Sequence, residues 1–426
     1  MSRGLSEQES ELLTKAELAV RARRSLGLMS TSQKNAALQA ISGALIRRMD
    51  EIIIANDADM EAARRDDVQD YILDRLLLTP ERVEDIASAV LEVVELPDPV
   101  GETIESRTVE SGIIVDRRRV PLGLIGIIFE SRPNVTVDIS ALCLKSGNCV
   151  ILRGGKEAIN SNKVLYDIVH SASVSEGMPV GWVQLIESTD RGVVGEMLSL
   201  RSHIDVVIPR GGKGLVSYVA DNSRIPILET GYGVCHTYVH ANADFEKASN
   251  IVINAKVRRP SICNALDSLL IDRSIAEAFL PDLARKLDRA GVELRVGTEC
   301  SRIIGDGVAV LDLRDGDLDT EWNALRMAIT LVDGLDEAIE HIQDHGSGHS
   351  EAIVTEDKLV GAIFLDEVDA AAVYLNASTQ FTDGGEFGLG AEIGISTQKL
   401  HARGPMGLRE MTTYKWVITG DGHVRA

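Results

Sequence analysis

Apolar residues at the start of the chain recur every three or four positions, a spacing that predicts helices with one buried face. The pattern extends from Leu5 to about Arg65. Ser32 and Asp50 are candidate N-caps of the second and third helices, since their short polar side chains can accept from free backbone N–H groups. The amino-terminal part of the chain is therefore predicted to be helical.

A further helix and a hairpin are predicted next. Thr79 and Pro80 combine a capping hydroxyl with a proline at the first helical position, and the pattern that follows ends near Leu96. Two alternating runs between Thr103 and Val120 flank Ser111-Gly112, where glycine allows the positive φ of a tight turn. Because this hairpin interrupts a helical region, it is predicted to be an arm that pairs with another subunit.

After Pro121 short continuous apolar runs alternate with helical patterns. The runs that predict strands are Leu122 to Phe129, Asn148 to Leu152, Trp182 to Ile186, Ile204 to Ile208 and Ile225 to Leu228. The helical patterns between them are Val135 to Leu144, Asn162 to Glu176, Gly192 to Leu200 and Gly214 to Ala220. Buried strands separated by helices are typical of a parallel sheet that is covered on both faces. Ligands of such sheets bind at the carboxyl ends of the strands.

A second series begins near Val234 and predicts a second α/β domain. Its members are the helical pattern from Phe245 to Ala255, the strand Ser268 to Ile271, the helix Ser274 to Ala290, the strand Ile329 to Val332, the helix Leu335 to His345 and the strand Ala352 to Thr355. The predicted fold class is α/β, with two doubly wound α/β domains and a small β arm. The predicted ranges are 1–102 with 121–231, then 232–400, and for the arm 103–120 with a closing strand in 401–426.

The charge balance argues against nucleic acid and anionic membranes as partners. The 426 residues include 44 basic and 65 acidic side chains, which leaves a net charge of -21 spread along the chain. No apolar run is long enough to span a bilayer, and the first residues lack a signal-peptide pattern. Five scattered cysteines without CxxC spacing argue against a disulfide framework or a zinc site. The predicted location is the cytoplasm.

One cysteine, Cys263, follows a helical pattern that Pro260 stops, so its backbone is predicted to be irregular. Lys256, Arg258 and Arg259 precede it closely. Nearby cations favour the thiolate, which is the form that attacks carbonyl carbons. The residues themselves leave two interpretations open, a catalytic nucleophile or a buried and inert thiol.

Polar residues follow three of the predicted strands, where a parallel sheet presents them to a ligand. Asn134, in Glu130-Ser131-Arg132-Pro133-Asn134, is either an amide donor to a developing oxyanion or an ordinary N-cap. Two later turns, Arg153-Gly154-Gly155-Lys156 and Arg210-Gly211-Gly212-Lys213-Gly214, place glycines and cations where they could cradle phosphate oxygens. The alternative is a glycine-rich turn with solvated cations in each case.

Three further features leave alternatives open. Glu229 closes a predicted strand and is either a general base or a hinge residue bonded to backbone. His341 and His345 share a helix face without metal-binding spacing, so solvated positions are expected and no metal site is predicted. The basic turn from Arg403 to Leu408 is predicted to line the site or to pack at a subunit contact.

The order of these signals resembles that of the aldehyde dehydrogenase superfamily. The strings that carry the resemblance are GLIGIIFESRPNVTVD, CLKSGNCVILRGGKEAINSN, VIPRGGKGL, ILETGYGVCHTYV, RRPSICNALDSLLI, DHGSGHSEAIVT and ASTQFTDGGEFGLGAEIGIST. They are similar to the branch of the superfamily that reduces the acyl phosphate of glutamate. The resemblance extends over nearly the whole chain, to TTYKWVITGDG.

The resemblance implies an activity, a cofactor and partners. NADPH would reduce L-glutamyl 5-phosphate to L-glutamate 5-semialdehyde with release of phosphate, through a cysteine thioester, in L-proline biosynthesis. The first domain would bind NADP, the second would carry Cys263, and the arm and closing strand would build a homo-oligomer. A separate glutamate 5-kinase would supply the labile acyl phosphate in a transient complex, since no kinase-like domain is recognised in the sequence.

Catalytic roles are also implied by the resemblance. Cys263 would be the nucleophile, and Asn134 with the backbone N–H of Cys263 would form the oxyanion hole. The superfamily's Glu-Leu-Gly-Gly around its hydrolytic base is Glu229-Thr230-Gly231-Tyr232 here. Because a strong base would hydrolyse the thioester, Glu229 is predicted not to be an efficient hydrolytic base.

Cofactor and substrate residues follow in the same way. Arg153 stands where the superfamily has a cofactor-binding lysine, and together with Gly155 and Lys156 it would suit the 2′-phosphate of NADP. The other implied cofactor residues are Gly211 and Gly212 at the pyrophosphate and Glu321 at the nicotinamide ribose. The candidate substrate residues are Arg132, Lys256, Arg259 and Glu229. The alternatives are a related reductase of an acyl-CoA or of aspartyl phosphate, and a non-catalytic binding protein.

Overall fold

The structure is a computed structural model that describes residues 7–66 and 68–425. The predicted helix start at Leu5, and the ends of the predicted domain ranges at Met1 and Ala426, lie outside the described residues. The chain divides after Thr230 into two compact units. Unit 1 contains the residues up to Thr230 with 389–393 and those from 406 onward, and unit 2 contains 231–388 and 394–405. The functions assigned to the predicted domain ranges stay predictions.

Helices and strands alternate along most of the described chain. The helices are α1 (Glu7–Leu26), α2 (Thr31–Arg47), α3 (Met49–Arg65), α4 (Asp70–Leu76), α5 (Pro80–Glu95), α6 (Val135–Lys145), α7 (Ile159–Ser175), α8 (Gly192–Met197), α9 (Lys213–Asn222), α10 (Phe245–Val257), α11 (Ala276–Arg289), α12 (Thr298–Ile304), α13 (Leu335–His345) and α14 (Lys358–Glu367). The strands are β1 (Thr103–Thr108), β2 (Ile114–Pro121), β3 (Leu124–Phe129), β4 (Cys149–Gly154), β5 (Val183–Leu185), β6 (Val206–Arg210), β7 (Cys235–Val239), β8 (Leu266–Asp272), β9 (Glu293–Val296), β10 (Val310–Asp312), β11 (Arg326–Val332), β12 (Ser350–Val354), β13 (Ala372–Leu375), β14 (Ile395–Ser396), β15 (Gly404–Pro405) and β16 (Thr412–Thr419).

The predicted helical start of the chain is confirmed over the described residues, but both predicted N-caps, Ser32 and Asp50, are wrong. Helix α2 is capped by Ser30, whose side chain accepts from the backbone N–H of Gln33 while the Gln33 side chain bonds back to the backbone of Ser30. This reciprocal pair needs a partner three residues on, so Ser30 rather than Ser32 opens the helix. Helix α3 follows Arg48 with no side-chain cap, and Asp50 lies in its first turn.

The predicted start of α5 is confirmed. The Thr79 hydroxyl accepts from the backbone N–H of Arg82 at 3.3 Å, and Pro80 occupies the first turn. Proline is tolerated there because its missing N–H would have no partner inside the helix.

Unit 1 contains the first predicted parallel sheet, with strand order β5-β4-β3-β6. All neighbouring pairs are parallel, and β3 and β4 are buried along their whole length. The predicted strand Ile225 to Leu228 is wrong, because the structure has only a single bridge there, between Ile227 and Val207. Pro226 lacks the N–H that a longer ladder requires.

The predicted hairpin is confirmed as β1 and β2. Gly112 has φ +90 in the turn, a conformation that favours glycine. Strand β16 pairs antiparallel with β2, which gives a three-stranded sheet of order β1-β2-β16. The closing strand is thus confirmed too, whereas its role in oligomerisation stays a prediction.

Unit 2 contains a parallel seven-stranded sheet of order β10-β9-β11-β8-β7-β12-β13. Its core packs Val252 of α10 and Leu283 of α11 against Leu269 and Ile329 of the sheet. Strand β7 was not predicted from the sequence. Its residues, Cys-His-Thr-Tyr-Val, mix polar and apolar side chains, although all five are buried. The predicted α/β class is confirmed. Among the described residues, no helix has the length and apolar character needed to cross a bilayer.

Candidate active site

The carboxyl ends of β3, β4 and β6 lie at one edge of the unit 1 sheet, because these strands are parallel neighbours. The chain runs outward from β3 to β4 and β5 and then returns to the other side of β3 as β6. Such a reversal leaves a crevice between β3 and β6, which is where open α/β sheets bind ligands. The predicted segments 130–134, 153–156 and 210–214 are therefore brought to the same edge.

The side chain of Asn134 does not cap the helix it precedes. Asn134 occupies the N-cap position of α6 but has helical dihedral angles and makes no side-chain capping hydrogen bond, so its interpretation as an ordinary capping side chain is wrong. Its Nδ2 instead donates to Oδ2 of Asp138 at 2.7 Å, one turn into α6. Burial raises the pKa of Asp138 to about 6, against the opposing effects of this hydrogen bond and of the Arg210 charge.

Two glutamates hold the strand-end loops of unit 1 together. Glu157 accepts from the N–H and the hydroxyl of Ser131 at 2.7 and 3.0 Å, and Ser131 has the unusual φ of +49. Glu130 accepts from the N–H of Gly212 at 3.2 Å. A Cβ on the neighbouring Gly211 would lie 2.4 Å from this carboxylate, so a larger residue there would displace the Glu130 side chain. Neither glutamate has a role that was predicted from the sequence.

Arg153 and Lys156 differ in environment. Arg153 is buried at the end of β4, and its Nη2 donates to the carbonyl oxygens of Thr189 and Asp190, both at 3.2 Å. Its Nε is buried without a hydrogen-bond partner in the described structure, and burial lowers its pKa. Lys156 is exposed and pairs with Asp66 at 3.5 Å. Arg153 thus keeps an unused donor at the predicted cofactor edge.

The turn before α9 is open. A Cβ placed on Gly212 or on Gly214 would meet no atom within 4 Å. Gly212 precedes the first helical residue, Lys213, so this open turn adjoins the start of α9. Free N–H groups at a helix start favour an anionic group.

Cys263 lies at the amino edge of the unit 2 sheet. It is a half-buried cysteine three residues before β8, so the interpretation as a buried thiol is wrong, whereas its reactivity stays a prediction. The neighbouring strands β7 and β11 are preceded by Gly233 and by Glu321, and the Glu321 carboxylate accepts from the N–H of Gly233 at 3.3 Å. Parallel pairing collects these residues at one edge, opposite to the usual ligand edge of such sheets.

The backbone of Cys263 is packed tightly against the start of β7. The thiol of Cys235 donates to the Cys263 carbonyl oxygen at 3.2 Å. Burial holds the pKa of Cys235 well above its usual value, so this thiol stays protonated and remains a donor. A Cβ on Gly233 would lie 1.6 Å from the same oxygen. No side chain other than hydrogen fits at position 233.

Gly233→Ala is therefore expected to lower the free energy of unfolding by about 3 kcal/mol, because backbone atoms rather than a flexible side chain must give way. Denaturant unfolding and the rate of Cys263 alkylation by iodoacetamide measure the effect, and both are expected to change. Gly297→Ala is the control, since a Cβ there meets no atom within 4 Å. Equal stabilities of the two variants would contradict the tight approach at Gly233.

Lys256 is fully buried and forms an ion pair within unit 2. Its Nζ lies 3.3 Å from Oδ1 of Asp267, which also accepts from the N–H of Trp322 at 3.2 Å. Burial lowers the pKa of Lys256 and raises that of Asp267 to about 7, and the attraction between the two opposes both shifts. This burial argues against the prediction that Lys256 contacts the substrate.

Lys256→Met is expected to destabilise the protein by about 3 kcal/mol, because it leaves the Asp267 carboxyl buried without its cation. Adding Asp267→Asn is expected to restore most of that loss, since the pair is then removed together. Denaturant midpoints measure both effects. Lys247→Met is the control, because Lys247 and its partner Glu356 are both exposed, and its midpoint should hardly move. A denaturant midpoint of Lys256→Met equal to that of the wild type would contradict a structural role for this ion pair.

The hydrogen bonds of Asn264, the residue after Cys263, were not predicted from the sequence. Asn264 is buried, and its Nδ2 donates to the carbonyl oxygens of Gln380 and Thr382 at 3.3 and 3.0 Å. The Thr379 hydroxyl donates to the Asn264 carbonyl oxygen at 2.7 Å. Gln380 also accepts from Arg258 at 3.3 Å. Such contacts join segments that are far apart in the sequence, so no local spacing predicts them.

The remaining predicted site residues differ in exposure. Arg259 is exposed, whereas Arg132 and Glu229 are half-buried. Arg403 pairs with Asp369 at 2.7 Å. Arg403 therefore has a partner within unit 2.

The histidines are less solvated than expected. His341 and His345 are half-buried, and His345 pairs with Asp319 at 2.8 Å. Burial lowers the pKa of His341 to about 3, which keeps it neutral. His236 is fully buried against Glu351 at 3.0 Å. In the part of the chain that the structure describes, no group of three or more His, Cys, Asp or Glu residues is arranged to hold a metal ion.

Comparison with known proteins identifies close relatives. Residues 6–302 match the model of the aldehyde dehydrogenase family. The chain is 48% identical over 421 residues to the γ-glutamyl phosphate reductase of Clostridium tetani, covering 97% of this chain and 98% of that protein. It is 50% identical over 419 residues to the γ-glutamyl phosphate reductase of Halothermothrix orenii, covering 98% and 100%.

A solved structure agrees with these relatives. The crystal structure of γ-glutamyl phosphate reductase from Thermotoga maritima has a TM-score of 0.95 and 48% sequence identity, and the alignment covers 98% of this chain and 100% of that one. The similarity therefore includes both units rather than a single motif.

Proposed function

Because the chain belongs to the aldehyde dehydrogenase family and, within it, to the γ-glutamyl phosphate reductases, we propose that it reduces L-glutamyl 5-phosphate to L-glutamate 5-semialdehyde and releases phosphate. The observation that carries the proposal is 48% and 50% identity to reductases of that name over nearly the full length of each chain. The chain is an oxidoreductase, and membership of its family implies a nicotinamide cofactor. In this role it would serve L-proline biosynthesis in the cytoplasm.

Cys263 is the proposed nucleophile. Its sulfur attacks the acyl carbon, the carbon–sulfur bond of a thioester forms, and the carbon–oxygen bond to phosphate breaks, so that phosphate leaves with the electron pair. The half-buried position of Cys263 supports this role, since the other four cysteines are buried. The tight packing of its carbonyl oxygen against Gly233 and Cys235 limits movement of the nucleophile.

Asn134 is the proposed donor to the carbonyl oxygen of the substrate, where negative charge develops when sulfur adds. The amide oxygen makes no capping hydrogen bond, so the backbone at the helix start does not fix how the amide is turned. Asp138 takes one N–H of the amide. Asparagine carries two such hydrogens, so one donor is left for the substrate.

The residues of unit 1 fit a nicotinamide dinucleotide, and we favour NADP. The open turn at Gly212 and Gly214 and the unused Nε of Arg153 are the observations that support the fit. Gly211 and Gly212 would adjoin the pyrophosphate, and Arg153 with Gly155 and Lys156 would hold the 2′-phosphate by charge. Glu321 of unit 2 would hold the nicotinamide ribose. A bound nicotinamide supplies the hydride that reduces the thioester carbon.

The substrate anions require cations in an acidic protein. Arg132 and Arg259 are the proposed partners of the phosphate and the α-carboxylate, since Lys256 is buried against Asp267. Glu229 is proposed to be a poor hydrolytic base, because an activated water would convert the thioester into free glutamate. A separate glutamate 5-kinase is the proposed source of the acyl phosphate.

A homo-oligomer is proposed through the three-stranded sheet of the arm. Tyr414, Trp416 and Ile418 are exposed and alternate along β16, so their side chains lie on one face of this sheet. Such a cluster on a surface is typical of a contact between proteins. A second copy of the chain would cover it.

Reduction of NADP+ by glutamate semialdehyde, followed at 340 nm and dependent on added phosphate, tests the proposed function in reverse. Omission of phosphate is expected to abolish the rate, and NAD+ is expected to be a poorer acceptor. Replacement of phosphate by coenzyme A, or of the aldehyde by aspartate semialdehyde, tests the related reductases. A higher rate with either replacement would overturn the substrate assignment, and no rate with any combination would favour a non-catalytic protein.

A further inference from the structure

Asn134 and Asp138 form a hydrogen-bonded pair at the start of α6. They are four residues apart across the start of α6, a spacing that places both side chains on one helix face. The Nδ2 of Asn134 lies 2.7 Å from Oδ2 of Asp138. The four-residue spacing in Asn134-Val-Thr-Val-Asp138 is a local signal from which this pair could have been predicted.

The contact determines which end of the amide faces the helix. An ionised carboxylate can only accept hydrogen bonds, so it attracts the NH2 group of Asn134 and repels the carbonyl oxygen. The amide oxygen is then turned away from Asp138, and the NH2 group keeps its second hydrogen. The Arg210 charge favours the ionised form of Asp138 and so supports this arrangement, although burial opposes it.

The backbone around Asn134 is held by other contacts. Ser131 donates its N–H to Glu157 at 2.7 Å, and Val135 donates its N–H to the Arg132 carbonyl oxygen at 3.1 Å. Removal of Asp138 would therefore leave the loop backbone in place. The contact between Asp138 and Asn134 acts on the side chain of Asn134 and on its rotation.

We propose that Asp138 is a positioning residue that fixes the amide of Asn134 with an N–H available to the reacting carbonyl oxygen. The inference rests on the proposed function, in which Asn134 is the donor. Without Asp138 the amide can rotate and present its own oxygen, which repels the developing negative charge. Asp138 does not contact the substrate in this role and acts through Asn134 alone.

A double-mutant cycle tests the proposal. Asp138→Ala is expected to lower kcat by about 10- to 100-fold with little change in KM, which is less than the loss from removing the donor itself. Asp138→Asn keeps an oxygen acceptor and is expected to recover part of kcat. In an Asn134→Ala background, Asp138→Ala should have no further effect on kcat. Full additivity of the two losses, or a change in KM instead of kcat, would overturn the proposal.

Ser140→Ala is the matched control for the helix. Ser140 is also buried in α6, and its hydroxyl donates to the Thr136 carbonyl oxygen at 2.6 Å without contacting Asn134. Its kcat is expected to equal that of the wild type. Should Asp138→Ala fail to fold, the cycle is run with Asp138→Asn, for which the same lack of additivity is expected.

A readout without turnover separates this inference from the proposed function. The pKa of Asp138 is measured by infrared difference spectroscopy, with Asp138→Asn to assign the carboxyl band. Since the Asn134 hydrogen bond stabilises the carboxylate, Asn134→Ala is expected to raise this pKa. An unchanged pKa would overturn the proposed contact even in an active enzyme. A wild type without activity would overturn the function while the raised pKa still supported the contact.

Discussion

Cys263→Ala is expected to lower kcat by about 10⁴-fold or more, since the variant has no atom that can form the thioester. The measurement is the phosphate-dependent reduction of NADP+ by glutamate semialdehyde. The stability of the variant should be close to that of the wild type, because Cys263 is half-buried at the edge of the sheet. A loss of that size without unfolding would identify the sulfur as the reacting group.

Cys300→Ala is the matched control for this substitution. Cys300 is buried in the core of unit 2, and burial raises the pKa of its thiol to about 11. Its removal is expected to affect stability more than kcat. Iodoacetamide should label Cys263 first in the native wild type, since Cys143, Cys149 and Cys235 are buried as well. A Cys263→Ala variant with kcat within about tenfold of the wild type would refute the thioester mechanism.

Asn134→Ala is expected to lower kcat by about 10²- to 10³-fold, as removal of a donor to an oxyanion does in other acyl-transfer enzymes. KM should change little, because the interaction strengthens as negative charge develops on the oxygen. Steady-state kinetics in both directions measure the effect.

Two variants sharpen the interpretation of Asn134. Asn134→Asp keeps the size of the side chain but places a negative charge beside Asp138, so its kcat should be at least as low as that of Asn134→Ala. Asn222→Ala removes an exposed amide that bonds the Tyr218 carbonyl oxygen at the end of α9, and it should have normal kinetics. A raised KM with normal kcat in Asn134→Ala would instead indicate ordinary substrate binding.

The alternation of apolar runs and helical spacings predicted the hairpin, the four strands of the first parallel sheet and three of the seven strands of the second. Local signals succeeded where adjacent residues carry the cause, as with the capping hydroxyl and the proline at the start of α5. They failed at Ser32, because the reciprocal hydrogen bonds of Ser30 and Gln33 determine where the helix begins. They also failed at Pro226, which belongs to an apolar run but cannot complete a strand.

For the candidate site, sequence alone was sufficient to propose the residues that can do chemistry, and their roles stay predictions. A lone cysteine after a stopped helix, an asparagine after a strand and glycine-rich turns with cations are visible in one dimension, and resemblance to a family connected them. The burial of Lys256 was not visible, because its partner Asp267 lies beyond the loop that carries Cys263. A cation near a cysteine in sequence was therefore not a cation free to meet a substrate.

Tertiary structure decided which side chains hold the reactive ones. The Cys263 carbonyl oxygen meets Gly233 and Cys235 because β7 and β8 are neighbours in the sheet. Asn264 meets the segment around Gln380 across more than a hundred residues of chain. Periodicity predicts which apolar faces of helices and strands are buried, since it acts locally. Strand order determines which buried residues touch, and that depends on the packing of the whole sheet.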